Sequence, residues 1–294
     1  MYRVLRGAPV RDAIAGEIRN QAEELISKGV QPSVATLRVG DNAGDCYYEK
    51  AVRKNSEKYG IHCRNVVFPD GTPQEEIELA LMALNDDPGI HGILMLMPFP
   101  KGVDSERLRS ILDPAKDIDA ITDASYAYLF DSGKTPDQYF CACTAESCME
   151  ILQRNGIGVS GKKVTIIGRS VRVGKPLMLM MLNANATVTV CHTRTKAEDR
   201  AEAIRSADIV VLATGQIESF GPDDFRDGQI IVDAGAGTGA DGKMAGDLNF
   251  RAIEEAGKPA DLFYTPVPGG VGTVNTTLLL RNVVRAAAGT VNGR

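Results

Sequence analysis

The chain of 294 residues has no tryptophan, and aromatic residues make up only 5% of it. Proteins that hold unpaired bases stack them on aromatic side chains, so no base-stacking platform is expected. An excess of positive charge is missing too. The 33 Lys and Arg stand against 38 Asp and Glu, a net charge of -5, which argues against a nucleic-acid binder and its basic surface. No run approaches the roughly 18 apolar residues of a membrane span. The start, Met1-Tyr-Arg-Val-Leu-Arg6, lacks an uninterrupted apolar stretch of the signal-peptide kind, so the expected location is the cytoplasm. The six cysteines (Cys46, Cys63, Cys141, Cys143, Cys148, Cys191) show no CxxC spacing. Reduced thiols and no metal are the expectation, Cys141-Ala-Cys143 being the one pair spaced to serve as half of a metal site.

What the chain does have is an alternation of short apolar runs and amphipathic stretches, over a length that suits two modest domains. It is clearest at Lys163-Val-Thr-Ile-Ile-Gly-Arg-Ser-Val-Arg-Val-Gly-Lys-Pro176. The β-branched run has the composition of a buried parallel strand, and Gly168 follows where the chain must turn towards a helix. A helix N-terminus there presents free N–H groups and the positive end of the helix dipole, which favour a phosphate. The spacing is not the usual G-x-G-x-x-G: Ser170 stands at the second glycine and the next is Gly174.

The next apolar run, Thr187 to Cys191, ends in His192-Thr193-Arg194-Thr195. NAD-preferring proteins place an Asp or Glu near this point, about 20 residues past the glycine loop, on the ribose 2′-hydroxyl. None occurs here. Arg169, Thr193 and Arg194 offer charge and donors that suit a 2′-phosphate, so NADP is the expected cofactor, with NAD as the alternative.

Elsewhere, residues 11–28 and 47–59 read as helices, and 33–39, 62–68 and 92–100 as strands. Thr72-Pro-Gln-Glu75 has the form of a capping box opening another helix, and a short helix is expected over 105–112. A long irregular stretch, 113–143, marks a functional loop. From Thr144 the alternation resumes, with helices to about 155, over 174–183 and over 196–206. Strands at 209–213 and 230–232 end at Thr214-Gly215 and Asp233-Ala-Gly235, and glycines at successive strand ends mark where a dinucleotide lies across an open sheet. After a strand at 261–264, Pro266-Val-Pro-Gly-Gly-Val-Gly272 permits close approach of backbone to a ligand. The last helix, 275–294, is expected to return to the first domain.

Four landmarks in order, Val39-Gly40 with Tyr48 downstream, Lys116-Asp-Ile-Asp-Ala120, Gly168-Arg-Ser with Gly174 and Pro176, and Pro266 to Gly272, carry a resemblance over essentially the whole chain. The sequence resembles the methylenetetrahydrofolate dehydrogenase/methenyltetrahydrofolate cyclohydrolase family, FolD type. That resemblance implies an α/β fold of two αβ domains around a cleft, the second a Rossmann-like doubly wound parallel sheet. Residues 1–143, completed by helix 275–294, would bind and transform folate, and 144–274 would bind NADP. It implies a homodimer that oxidises 5,10-methylenetetrahydrofolate and, in bifunctional members, hydrolyses the methenyl product to 10-formyltetrahydrofolate. Tyr48 matches the tyrosine beside the folate, and Asp119 the carboxylate that holds the pterin, with Asp117 as the competing candidate. Pro268, Gly269 and Gly270 fall to the substrate. Gly168, Arg169, Ser170, Gly174, His192, Thr193, Arg194, Thr214, Gly215 and Gly235 fall to the cofactor.

The pattern breaks at Ala142-Cys-Thr-Ala145, at Thr273-Val-Asn275 and, in the hydrolytic apparatus, at two further places. Members with both activities carry a lysine four positions after the tyrosine and a glutamine before the double proline; here these are Val52 and Leu96. Lys50 and Lys54 point about 200° and 240° away from Tyr48 around a helix, so neither stands in for the missing amine. Water attack on a methenyl carbon needs proton transfer, which typically contributes about 10²–10⁴-fold. The expected activity is therefore a dehydrogenase with weak or absent cyclohydrolase. The alternatives are a bifunctional enzyme and a non-catalytic folate- or NADP-binding protein.

Overall fold

The computed structural model describes residues 1–130, 140–239 and 241–291. The chain divides into two compact units: Ala13–Cys143 with Thr276–Arg294, and Met1–Asp12 with Thr144–Asn275. The first is built on a small parallel sheet, the second on a large one.

In the small-sheet unit β2 (Ser33–Val39) lies between β3 (His62–Phe68) and β4 (Gly92–Met95), both parallel to it. All seven residues of β2 are buried, whereas β3, at an edge, alternates between exposed and half-buried positions. α1 (Gly7–Ser27) presents Ile14, Ile18, Ala22 and Leu25 at helical spacing, and α3 (Gln74–Asp86) presents Ile77, Leu81 and Leu84. α2 (Ala43–Lys58) follows β2, with Asn42 as its N-cap, and α4 (Ser105–Ile111) is capped by Asp104. From Thr276 onward, α10 (Gly272–Val291) belongs to this unit. It buries Leu278, Leu279, Leu280, Val283 and Val284, and Asn282 donates to the Ile118 carbonyl at 2.9 Å.

Two expectations fail in this unit. Thr72 makes no capping box: its hydroxyl donates to the Pro69 carbonyl, Pro73 is the N-cap, and the helix begins at Gln74. Within 113–143, residues 131–139 lie outside the described residues, but 123–129 form α5 (Asp123–Leu129). Its N-cap, Thr122, accepts from the Ser125 N–H, a cap that the Asp-rich surroundings disguised as a turn.

The large-sheet unit follows α6 (Cys143–Arg154) with β5 (Lys163–Ile167), α7 (Gly174–Asn183), β6 (Thr187–Cys191), α8 (Ala197–Ser206) and β7 (Ile209–Leu212). β8 (Gln229–Asp233), the hairpin β9 (Gly237–Thr238) and β10 (Met244–Ala245), α9 (Phe250–Ala256) and β11 (Leu262–Tyr264) complete it. With β1 (Tyr2–Val4) the sheet runs β1-β11-β8-β7-β5-β6, parallel throughout. From β5 the chain goes to one neighbour, β6, and then to the other, β7. That reversal is the switch point of a doubly wound sheet, where ligands bind beyond the strand ends.

Residues 1–12 correct the expected division, since they join this unit and not the other. Tyr2, Arg3 and Val4 pair with Leu262, Phe263 and Tyr264, and the Arg3 guanidinium lies 4.6 Å from the Phe263 ring centre. A strand of three residues carries no periodicity, so only its distant partner identifies it.

Among the described residues no helix is long and apolar enough to cross a membrane.

Candidate active site

In the small-sheet unit the candidate residues lie on α2, which follows β2, just past β4, and on the loop at residues 116–120 that runs beside β4. Lys116 anchors the loop that carries two of them. Its ammonium donates to the carbonyls of Leu84, Asn85 and Asp87 at 3.0, 2.6 and 2.7 Å, around the C-terminus of α3, where a cation meets the negative end of the helix dipole. The Ile93 N–H then donates to the Lys116 carbonyl at 2.8 Å, which lays the loop along β4.

Asp117 is fully buried. It accepts from the N–H groups of Ile121 and Thr122 at 3.0 and 2.8 Å and from the Ser125 hydroxyl at 2.7 Å. With three donors converging on it, Asp117 staples the loop to α5 and has little left to offer a ligand. Asp119 is half-buried, and the next residue, Ala120, has a φ of +52°, where a side chain is strained.

α2 supplies the other residues. Tyr48 is half-buried, Lys50 and Lys54 are exposed, and Val52 is 0% exposed. Leu96, just past β4, is buried, with its N–H on the Leu37 carbonyl at 2.9 Å. Neither position offers a group able to move a proton. Glu49 is a buried carboxylate one turn before Val52, but both its oxygens are engaged. Thr36 donates to one at 2.7 Å and the Arg38 guanidinium to the other at 3.1 Å, while Asn65 donates to Thr36 at 2.7 Å. The network fixes α2 on β2 and β3. Glu49→Ala removes one of the two carboxylates on this guanidinium, which keeps Asp41 at 3.0 Å, and takes the acceptor from Thr36, so a loss of about 1–3 kcal/mol in unfolding free energy is expected by urea denaturation.

In the large-sheet unit Gly168 ends β5 at the switch point with a φ of +130°, and a Cβ on it would run into the Ala213 carbonyl oxygen. Gly174 opens α7 against the Gly168 carbonyl, again with no room for a Cβ. Ser170 closes the loop between them. Its hydroxyl accepts from the Val173 N–H at 3.2 Å and its carbonyl from the Lys175 N–H at 3.0 Å. Arg169 and Ser170 stay exposed. On the neighbouring strand end, His192 shapes the turn: Nδ1 accepts from the Arg194 N–H at 3.1 Å, and its own N–H donates to Thr195 Oγ1 at 2.9 Å. That leaves Thr193 and Arg194 exposed at the tip. Because Ile167 pairs with Cys191, the two exposed arginines follow adjacent strand ends. A bare glycine loop, a helix N-terminus and two cationic forks fit a phosphate-bearing dinucleotide.

The Thr214 and Gly215 N–H groups point inward, to Asp247 Oδ2 at 2.6 and 3.2 Å, and the Thr214 hydroxyl joins them at 2.8 Å. What these two residues can offer a cofactor is their carbonyl edge, not their N–H groups. Asp247 in turn stands where a Cβ on Gly235 would fall, so Gly235 is required for packing. The Pro266–Gly272 loop turns at Gly269, with a φ of +107°. A cavity of about 270 Å³ beside it is lined by Asp233, Gly246, Thr265, Pro266 and Val267 among others.

Comparison with known proteins identifies the assembly. Residues 5–119 match the catalytic domain of the tetrahydrofolate dehydrogenase/cyclohydrolase family, and residues 142–291 match that family's NAD(P)-binding domain. The chain belongs to the tetrahydrofolate dehydrogenase/cyclohydrolase family. Bifunctional protein FolD of Clostridium perfringens is 37% identical over 97% of this chain and 99% of its own length. The crystal structure of the bifunctional FolD enzyme of Campylobacter jejuni superposes with a TM-score of 0.92 at 32% identity, covering 99% of this chain and 100% of that one. The Trypanosoma brucei FolD structure, complexed with NADP cofactor and an inhibitor, gives 0.88 at 30% identity, covering 98% of each chain.

In this member of the tetrahydrofolate dehydrogenase/cyclohydrolase family, sequence reading missed Asp247 and the part Asp233 plays beside it. Asp233 accepts from the N–H groups of Gly235, Asp247 and Leu248 at 2.9, 3.2 and 2.9 Å, so the two carboxylates together hold the ends of β7 and β8. Fourteen residues of sequence separate them, and no short spacing announces the pair. Burial pushes the Asp233 carboxyl up from 3.8 to about 6, against the pull of its three N–H donors, and the nearby Asp247 adds to the rise. The folded state thus holds this proton more tightly than the unfolded chain. The charged form costs stability above pH 6, and the cost is relieved as pH falls from about 6 towards 3.8, by on the order of 3 kcal/mol in all. Unfolding free energies of wild type and Asp233→Asn, compared between these limits, should differ in slope in that sense.

Proposed function

We propose that the chain oxidises 5,10-methylenetetrahydrofolate to 5,10-methenyltetrahydrofolate with NADP as acceptor, and that its cyclohydrolase activity is weak or lost. Substrate recognition rests on Asp119, whose carboxylate matches the paired donors of the pterin's amino-pyrimidine edge, with Tyr48 beside the ring. The binding of Asp117 into its own loop favours Asp119 for this contact. Pro268, Gly269 and Gly270 bring backbone close to the substrate. Gly168, Ser170 and Gly174 cradle the phosphates, and Arg169, Thr193 and Arg194 meet the 2′-phosphate. The Trypanosoma brucei relative, with NADP bound, supports this preference. A homodimer working in the cytoplasm completes the reading.

When bound, the nicotinamide ring accepts a hydride. The substrate's own nitrogens stabilise the cation left behind, so the protein's task in this step is to position and to exclude water. Hydrolysis of the methenyl bridge asks for more: water must lose a proton as it attacks. The observation that carries the proposal is the fully buried hydrocarbon of Val52, with buried Leu96, at the two positions to which the resemblance assigns an amine and an amide in bifunctional members.

Relatives named bifunctional favour a second reading, in which hydrolysis persists through another group. Glu49 is the nearest candidate on that helix face, and its bonds to Thr36 and Arg38 argue against it. Initial rates with methylenetetrahydrofolate should show kcat/KM at least tenfold higher for NADP than for NAD. Equal use would contradict the cofactor assignment, and no turnover with either would leave the chain a folate- and nucleotide-binding protein.

A further inference from the structure

The Pro266–Gly272 loop carries no side chain at Gly269 or Gly270 that could hold its central turn, so something outside the turn must do so. We propose that Gly7 is a positioning residue for this loop, acting through its backbone N–H and through the absence of a Cβ. The inference rests on the reading that the loop meets the folate.

Three observations converge on it. The Gly7 N–H donates to the Gly269 carbonyl at 2.7 Å, the residue where φ turns positive. Two residues earlier, the Leu5 N–H donates to the Tyr264 carbonyl at 2.7 Å, continuing the pairing of β1 with β11. The segment therefore grips the chain both before the loop and inside it. Finally, a Cβ on Gly7 would run into the Gly270 carbonyl oxygen and come within 3.0 Å of Thr273 Cβ. The same Gly270 carbonyl accepts from the Thr273 N–H at 3.1 Å, in the first turn of α10. Gly7 thus sits where the loop passes into the helix. Gly270 cannot retreat freely, because a Cβ there would already meet the Pro266 carbonyl and Thr265. The added methyl of Gly7→Ala must displace the loop, and misplacement of a positioning group by about 1 Å can cost around 10²-fold in rate.

The control is Gly16→Ala, in the same helix, where a Cβ meets open space. Gly7→Ala should speed amide exchange over residues 266–273 at least tenfold in the unliganded full chain. It should raise KM for methylenetetrahydrofolate tenfold or more while the KM for NADP stays within about twofold, and Gly16→Ala should do neither. Unchanged exchange in Gly7→Ala overturns the proposal without touching the reaction assigned above. Faster exchange with an unchanged folate KM overturns the positioning role. Faster exchange in a chain whose wild type shows no turnover supports the grip on the loop and strikes the reaction alone. If Gly7→Ala yields no soluble protein, wild type gives the answer by linkage: saturating tetrahydrofolate should slow exchange of the Gly7 amide several-fold, and no slowing overturns the proposal.

Discussion

Asp119→Asn is expected to lower kcat/KM for methylenetetrahydrofolate by about 10²–10³-fold, a far larger effect than its effect on stability. The pterin edge presents two donors side by side. A carboxylate accepts both, whereas asparagine offers one acceptor and turns an NH₂ group against the other donor. The loss of a charge-assisted pair together with that clash amounts to about 3–4 kcal/mol. The neighbouring carboxylate should behave in the opposite way. Asp117 accepts from Ile121, Thr122 and Ser125 in the interior, so Asp117→Asn should cost about 2–3 kcal/mol of stability. Any kinetic effect should follow from that loss. Steady-state kinetics and urea denaturation on both variants separate the two roles. A kinetic collapse confined to Asp117→Asn would transfer the pterin contact to that residue.

Val52→Lys with Leu96→Gln is expected to raise the rate of methenyltetrahydrofolate hydrolysis by about 10²-fold or more, within the range that a positioned proton-transfer group supplies. The gain should come at a cost in stability. Val52 is fully buried, and burying an ammonium costs several kcal/mol unless it is paired. The partner within reach is Glu49, three residues earlier on the same face. An amine captured by Glu49 is held in its charged form and is a poor base, so Val52→Lys alone should recover less than the double variant. The glutamine is expected to compete for the amine and help turn it towards substrate. Loss of methenyl absorbance above the spontaneous rate measures both variants. A double variant that folds, binds folate and shows no gain would place the hydrolytic deficit elsewhere.

The parts legible in the sequence were those fixed by local chemistry. β6 and α7 have the bounds read from β-branched composition and glycine punctuation, and β6, at the edge of the sheet, alternates exposed and half-buried positions before ending at buried Cys191. Gly168 and Gly174 were legible too: a tight strand-to-helix turn leaves no space for a side chain. What stayed hidden depends on partners far along the chain. β1 exists because β11 accepts it, and Gly7 matters because Gly269 lies against it. α9, capped by Asn249, and the β9–β10 hairpin are too short to carry a period. Arg38 and Glu49 mislead in opposite directions. Arginine in an otherwise apolar strand hints at a buried partner, but Glu49 lies in a charge-rich helix that reads as solvated. Only the packing of α2 on β2 brings them together.

The most direct test of the account measures both activities on one preparation of the wild-type chain. Methylenetetrahydrofolate with NADP should give rapid formation of the methenyl product, and that product should then disappear no faster than it does without protein. Rapid loss of the methenyl absorbance on adding the protein would contradict the claim that buried Val52 and Leu96 leave the site without its hydrolytic step.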